Sequence, residues 1–464
     1  MNQRAKFLSG NLFRHISVMS LTASVGLMAV FIVDFVDMIF ISMLGRDELA
    51  AAIGYAGALL FFTSSFGIGM AIAAGALVAR ALGAGAIEAA RQKAATTLVY
   101  GVLFGALFAA MVWVNLPALV RLVGASGATQ DLAVGYLRII IPSLPLLLIG
   151  MVGGAILRAH GDARRSMQAT VIGGAVNAAL DPLLIFGLGL DLTGAALASV
   201  AARAAMAYFA LRPIFRHHGG LAWPGAAGLR QDFRAILAIA LPAILTQLAT
   251  PVGQAYVTRS MAQFGEDAVA GLAVVSRLIP VAFGVIFALS GAVGPVIGQN
   301  FGAGNPARVR RAYLDGLLFT ALFVLGMTAL LFVLRAPIAD LFRAEGQSRA
   351  LIYLFCGPLA LAFFFNGALF VSNAAFNNTG RPFLSTAMNW GRHTLGTIPF
   401  VIAGAAIAGA PGVLIGQAVG GVFFAGLSIW LALRLISHRP GTPPKDDTGF
   451  RQQRRLIQLF YGRR

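Results

Sequence analysis

Asn177 and Asp181 stand four residues apart in an apolar run long enough to cross a membrane, so a helix there presents both on one face. An ionised carboxylate at mid-bilayer costs about 2.5–3.5 kcal/mol on insertion scales, and such residues mark ion pathways facing a bundle interior. Asp34 and Asp37, three residues apart in the first apolar run, make a second acidic face. Like charges that close in a low dielectric cannot both stay ionised cheaply, and they titrate as a coupled set. The chemistry open to these groups is binding of a proton or of a small hard cation, with sodium at Asp37, Asn177 and Asp181 as the metal alternative. Two structural readings compete. Asp181 could cap a helix broken at Pro182, and Asp34 could pair with a buried cation such as Arg203.

The elements that must hold these residues follow from composition. Of 464 residues 58% are hydrophobic and 11% charged, against about one quarter charged in soluble domains, and only an all-α membrane protein with many spans fits. Twelve apolar runs, from about 16–44 to about 410–436, each approach or exceed the roughly 20 residues a membrane helix needs. The first is too long for a signal core and has no cleavage box, so it is the first span. A net charge of +18 sits in short clusters between runs, which excludes a nucleic-acid face. One set of loops holds the basic clusters, among them Arg158, His160, Asp162, Arg164 and Arg165, and Arg308, Arg310 and Arg311; the other holds mixed charge. The positive-inside rule then puts both termini in the cytoplasm, with the chain in the cell inner (plasma) membrane. Lone Cys356 excludes an internal disulfide and a thiolate metal cluster.

The chain repeats itself. ARALGAG at 79–85 parallels GQNFGAG at 298–304, and RAHGDAR at 158–164 parallels NNTGRPF at 377–383; MLGRDELAA at 43–51 and TGAALAS at 193–199 have partners at 263–271 and 411–417. All four offsets are close to 219 residues. The expected architecture is two six-helix bundles related by a pseudo-two-fold axis along the membrane normal: an N-terminal lobe at 1–216, a linker at 217–231, a C-terminal lobe at 232–437 and a basic tail at 438–464. Such a plan suits an alternating-access carrier, although duplication of a purely structural protein would leave the same trace. The mid-span carboxylates all lie in the first half, so ion coupling belongs there. In the second half Gln254, Asn366, Asn373 and Met388 are candidate substrate contacts, with hydrogen bonding between helices as the competing role for the amides. The glycines at 83–85 and 302–304 lack the strand and lysine of a phosphate loop. No metal-ligand, Ser/His or Cys/His constellation occurs in the spans, so an enzyme is not expected, and no cofactor beyond the coupling ion.

Four stretches carry a family resemblance: VDMIFISMLGRDELAA at 36–51; ARALGAG with AARQKA at 89–94; AVNAALDPLLIFGLGLDLTGAALAS at 175–199; and IGQNFGAGNPARVRRA at 297–312. The chain resembles the multidrug and toxic compound extrusion (MATE) transporters, in their DinF-like branch, over essentially its whole length. The resemblance implies two six-helix bundles forming a V and export of amphipathic organic compounds driven by inward flow of protons or sodium. It implies a cation site made of Asp37, Asn177, Asp181, Ser199 and Tyr136. Two positions depart from the family pattern: Asp34 replaces an asparagine, and no proline occurs between His15 and Leu44.

The expected partners are small organic molecules, hydrophobic and often cationic, together with membrane lipid; the expected state is a monomer. A lipid-linked oligosaccharide flippase of the same architecture is the alternative. Such a protein would gather several cations for a pyrophosphate, whereas Arg138, Arg203, Arg259, Arg277 and Arg392 are scattered over both halves.

Overall fold

The computed structural model describes residues 5–437, so the basic tail expected at 438–464 lies outside the described residues. Inside hydrocarbon a continuous helix satisfies every backbone group within its own segment, and each apolar run becomes one. The helices are α1 (Leu12–Ser42), α2 (Asp47–Gly83), α3 (Ile87–Val114), α4 (Leu116–Leu122), α5 (Gly127–Ile140), α6 (Leu144–Ala159), α7 (Ala163–Pro182) and α8 (Asp191–His217), followed by α9 (Gly225–Ala262), α10 (Glu266–Gly302), α11 (Pro306–Leu341), α12 (Gly346–Leu354), α13 (Ala360–Asn378), α14 (Pro382–His393) and α15 (Ile398–Ser437). Without an internal proline α1 runs unbroken. Proline and glycine interrupt other spans: a tight turn at Ile141–Ser143 joins α5 to α6, and a wide one at Phe355–Leu359, containing Gly357 and Pro358, joins α12 to α13.

Eleven stretches among the described residues are long and apolar enough to cross a membrane. The last, Pro382–Ser437, far exceeds one bilayer and folds back at Ala408 (φ −135°) and Gly409 (φ 61°), so it supplies two crossings. The two arms of this hairpin touch through glycine. A Cβ on Gly404, Gly416 or Gly420 would overlap the carbonyl oxygen of Gly412, Phe400 or Gly396 on the opposite arm. Membrane helices gain little hydrophobic drive from packing on each other, so such backbone-to-backbone approach is what holds the arms together.

The chain divides into two compact units. Among the described residues unit 1 comprises Ala5, Lys6 and Thr22–Ala240, and unit 2 comprises Phe7–Leu21 and the chain from Leu241 to Ser437. Both α1 and α9 therefore begin in one unit and end in the other.

In unit 1, α6 is the central element. Leu144, Leu148, Val152, Ile156 and Leu157 are buried among α2, α3 and α8. The cap of α7 lies in the basic turn: Asp162 accepts from Arg165 N at 3.3 Å, while its Oδ2 accepts from Arg165 at 2.6 Å and from His218 at 3.0 Å. These hydrogen bonds outweigh burial and hold the Asp162 carboxyl well below the usual carboxylate range. Burial, reinforced by His218, pushes the neighbouring His160 down to about 4. The first part of α9 is fixed by Asp232, which is gripped by Lys93 and accepts from Thr96 at 2.9 Å.

In unit 2 the leading segment is held by its backbone. Phe7 N donates to Gln299 Oε1 at 2.8 Å, and Phe7 O accepts from Asn300 at 3.1 Å and Arg308 at 3.0 Å. Asp315 pairs with Arg311 at 2.9 Å, in keeping with its place beside the basic cluster.

Candidate functional site

Four helices of unit 1 assemble the acidic cluster. On α7, Asn177 Nδ2 donates to Asp181 Oδ2 at 3.1 Å, the contact that four-residue spacing allows. Pro182 ends the regular helix and the chain continues as a π turn, Leu183–Gly187. Such turns are rare and recur at functional sites. Helix α8 passes tightly against this turn because residue 194 is glycine: a Cβ there would lie 2.8 Å from Leu184 O. Two residues of the GLGLDLTGAALAS stretch thus acquire a physical role, Gly194 in close approach and Asp191 in a left-handed bend (φ 46°) that starts α8.

Asp37, on α1, brings its carboxyl within hydrogen-bonding reach of Asp181. Asp181 is wholly buried and Asn177 nearly so. One oxygen of each acid, Oδ1 of Asp37 and Oδ1 of Asp181, is buried with no donor among the described residues. Asp181 therefore does not act as a backbone cap at Pro182; its Oδ2 belongs to Asn177 and its other oxygen is unsatisfied. Tyr136 of α5 and Ser199 of α8 hydrogen-bond to each other, with Asp37, Asp181 and Arg203 as the electrostatic neighbours of the phenol. The guanidinium of Arg203 donates to Ile140 O at 3.0 Å and Ser143 Oγ at 2.9 Å.

The pairing of Asp34 with Arg203 is accordingly not formed. Asp34 is exposed on α1 and has Asp37 as its electrostatic neighbour. The arrangement of Asp37, Asp181, Asn177, Tyr136 and Ser199 offers carboxyl, amide and hydroxyl oxygens around two carboxyls that have no ion pair among the described residues. Such a set can hold a proton between the acids or a small hard cation among the oxygens.

The second-half candidates separate. Asn373 Oδ1 accepts from Asn389 at 3.1 Å, within a network that also joins Ser385 to Asn377 at 3.2 Å, so its amide links helices. Asn366 and Met388 are partly buried on α13 and α14. Gln254 is exposed and accepts from Gln417 at 3.4 Å. In the sequence Arg392 is one of five scattered cations, and the polar break that follows it, HTLGT at 393–397, is the signal that sets it apart.

The apolar crossings among the described residues, with an acid pair on two of those of unit 1, define a multi-pass membrane protein. The sequence model of the MatE family matches residues 23–183 and 242–402, the second stretch displaced by 219 residues at both ends, and the chain belongs to this family of multidrug and toxic compound extrusion proteins, which are transporters and not enzymes. It is 29% identical over 441 residues to a protein of Shewanella oneidensis named FAD transporter, covering 94% of this chain and 97% of that one. It is 25% identical to the multidrug export protein MepA of Staphylococcus haemolyticus, covering 81% and 83% of the two chains. The crystal structure of a mutant MATE transporter from Vibrio cholerae superposes with a TM-score of 0.86 at 24% identity, covering 91% of this chain and 96% of that one.

Proposed function

We propose that this transporter exports amphipathic organic compounds in exchange for a cation that binds at Asp37 and Asp181. The observation that carries the proposal is the meeting of these two carboxyls in the membrane span with one unsatisfied oxygen each. Two carboxylates in contact in a low dielectric repel strongly unless a cation joins them, so the pair is driven to take one up when the site is otherwise closed. Alternating access follows if the ion and the organic compound stabilise different states of the carrier, since a ligand shifts such an equilibrium only by its differential affinity.

The ion is a proton by first choice, because two acids in contact share one readily. Sodium is the runner-up, with Asp37, Asn177, Asp181 and Ser199 as oxygen ligands and Tyr136 oriented through Ser199. The basic loops support a plasma-membrane location with both termini in the cytoplasm. The names of two relatives, an FAD transporter and a multidrug exporter, support organic compounds as cargo.

The experiment is transport by the purified protein in liposomes, with proton and sodium gradients imposed separately. Efflux driven by a pH gradient alone supports proton coupling. Efflux that survives collapse of the pH gradient but stops without sodium reverses the order, and transport indifferent to both removes the reading.

A further inference from the structure

We infer that unit 2 carries a binding site for an oxyanion of the exported compound, centred on Arg392. The inference rests on the reading of the chain as an exporter of organic compounds and departs from the preference for cationic cargo expected from the sequence. The mid-span carboxylates that would attract a cation, Asp34, Asp37 and Asp181, all lie in unit 1.

The site begins with a broken span. Helix α14 ends at His393, Thr394 takes φ −110° and ψ −80°, and helix resumes at Ile398, near the middle of the crossing that starts at Pro382 and ends at the hairpin turn. Non-helical backbone at such a depth persists only where it is buried in protein or lines a polar cavity, and broken helices form the substrate sites of many carriers. Here the break is secured locally. Thr394 Oγ1 donates to Trp390 O at 2.7 Å, Thr397 Oγ1 to Arg392 O at 2.9 Å, and Gly396 N to Gly391 O at 2.8 Å.

Arg392 occupies the last turn before this break. Its guanidinium forms no ion pair and no hydrogen bond among the described residues, although it is partly buried. Arg138, Arg259 and Arg277 are exposed, and Arg203 is bonded to Ile140 and Ser143. The guanidinium lies instead over bare backbone on α15, where a Cβ on Gly421 would stand 3.5 Å from Nε.

The break packs on the Phe424 ring and the glycines of α15, and polar side chains stand near it. Beside Arg392, His393 is 4% exposed, its Nε2 lies 3.4 Å from Thr250 Oγ1, and its buried Nδ1 has no partner. Gln417, one turn before Gly421, donates to Gln254. Of the described acids of unit 2, Asp315 and Asp340 are paired with Arg311 and Arg349, and Glu266, Asp267 and Glu345 stand at helix ends. A cation placed only to neutralise the end of α14 would bond its last carbonyls, and this one does not.

An unpaired arginine within a span costs about 2.5–3.5 kcal/mol on insertion scales, and its five planar donors match phosphate and carboxylate oxygens two at a time. The cargo this site fits is an organic anion: an aromatic or amphipathic body carrying a phosphate ester.

The test uses the purified full-length chain in neutral-lipid nanodiscs, with flavin mononucleotide, FAD, riboflavin and inorganic pyrophosphate as probes of equilibrium binding. Wild type is expected to bind the two nucleotides more tightly than riboflavin, with pyrophosphate competing. R392Q should weaken both nucleotides roughly tenfold to a hundredfold and leave riboflavin unchanged, with R392K intermediate. Unaltered nucleotide affinity in R392Q, an equal loss for riboflavin, or no binding of any phosphate-bearing probe would overturn the site. Displacement of nucleotide by phosphatidylglycerol but not by pyrophosphate would assign Arg392 to a lipid headgroup and overturn it as a cargo site. If wild type binds nucleotide through Arg392 yet moves nothing under either gradient, coupled export fails and the oxyanion site stands; gradient-driven export of riboflavin with no nucleotide binding gives the reverse.

Discussion

Asp37 and Asp181 reach each other from different helices, α1 and α7, while Asp34, one turn from Asp37 on the same helix, stays exposed. The acids that act together are therefore chosen by packing between helices and not by spacing along one. D37N and D181N should each abolish ion-driven efflux by the reconstituted protein while leaving yield and Tm near wild type, because a neutral amide fits the same volume and relieves the repulsion. D34N should retain transport. Efflux at matched protein levels measures this, and active D37N beside dead D34N would show that the coupling role belongs to the other member of that pair.

The glycine contacts of the terminal hairpin yield a stability prediction. G420A places a methyl on Gly396 O and should cost about 1–3 kcal/mol or more, seen as a lower Tm and yield. G426A, on the same helix with nothing within 4 Å of its Cβ, should be neutral. Equal stability of the two variants would mean that the arms are not held by this contact.

Asp232 supplies a third test. It is 5% exposed and satisfied by Lys93 and Thr96, so D232A removes the buried carboxylate that the Lys93 ammonium and the Thr96 hydroxyl bind. Breaking one side of such a pair costs about 3–5 kcal/mol. D232A should unfold at lower temperature or denaturant than wild type, and T96V by a smaller margin; an unchanged midpoint in D232A would show the pair to be energetically idle.

The basic turn predicts a pH dependence. His160 is pushed down to about 4 from the ordinary imidazole value of 6.5, so between these pH values the unfolded chain takes up a proton that the folded chain refuses. Stability should decline as pH falls from 6.5 towards 4. Asp162 acts lower: its contribution is present above the ordinary carboxylate value and is lost as pH falls through its depressed folded value. Thermal unfolding of the detergent-purified protein at pH 4 to 7 checks both, and H160Q should flatten the upper part of the curve. A decline between pH 6.5 and 4 that is identical in H160Q would place its origin elsewhere.

The number of crossings was legible in the sequence because a membrane helix is an uninterrupted apolar run, and so was the Asn177 to Asp181 contact, which depends on helical period alone. The orientation of α1 was not. Its span is apolar on nearly every side, so no stripe marks which of Asp34 and Asp37 turns towards α7. For the same reason the isolation of Arg392 is not legible in the sequence. Whether a guanidinium finds a partner depends on residues dozens of positions away, and on a glycine at 421 whose effect is an absence of side chain.

The division of α1 and α9 between the units has an evolutionary corollary. The family match begins at 23 and again at 242, one residue past the two points where the chain passes from one unit to the other. Each half thus lends its leading segment to the body built by the other half, the reciprocal exchange that defines a domain-swapped dimer. A chimaera joined between α8 and α9 would install a foreign arm in a native body, whereas joins at residues 22 and 241 keep each unit's segments together.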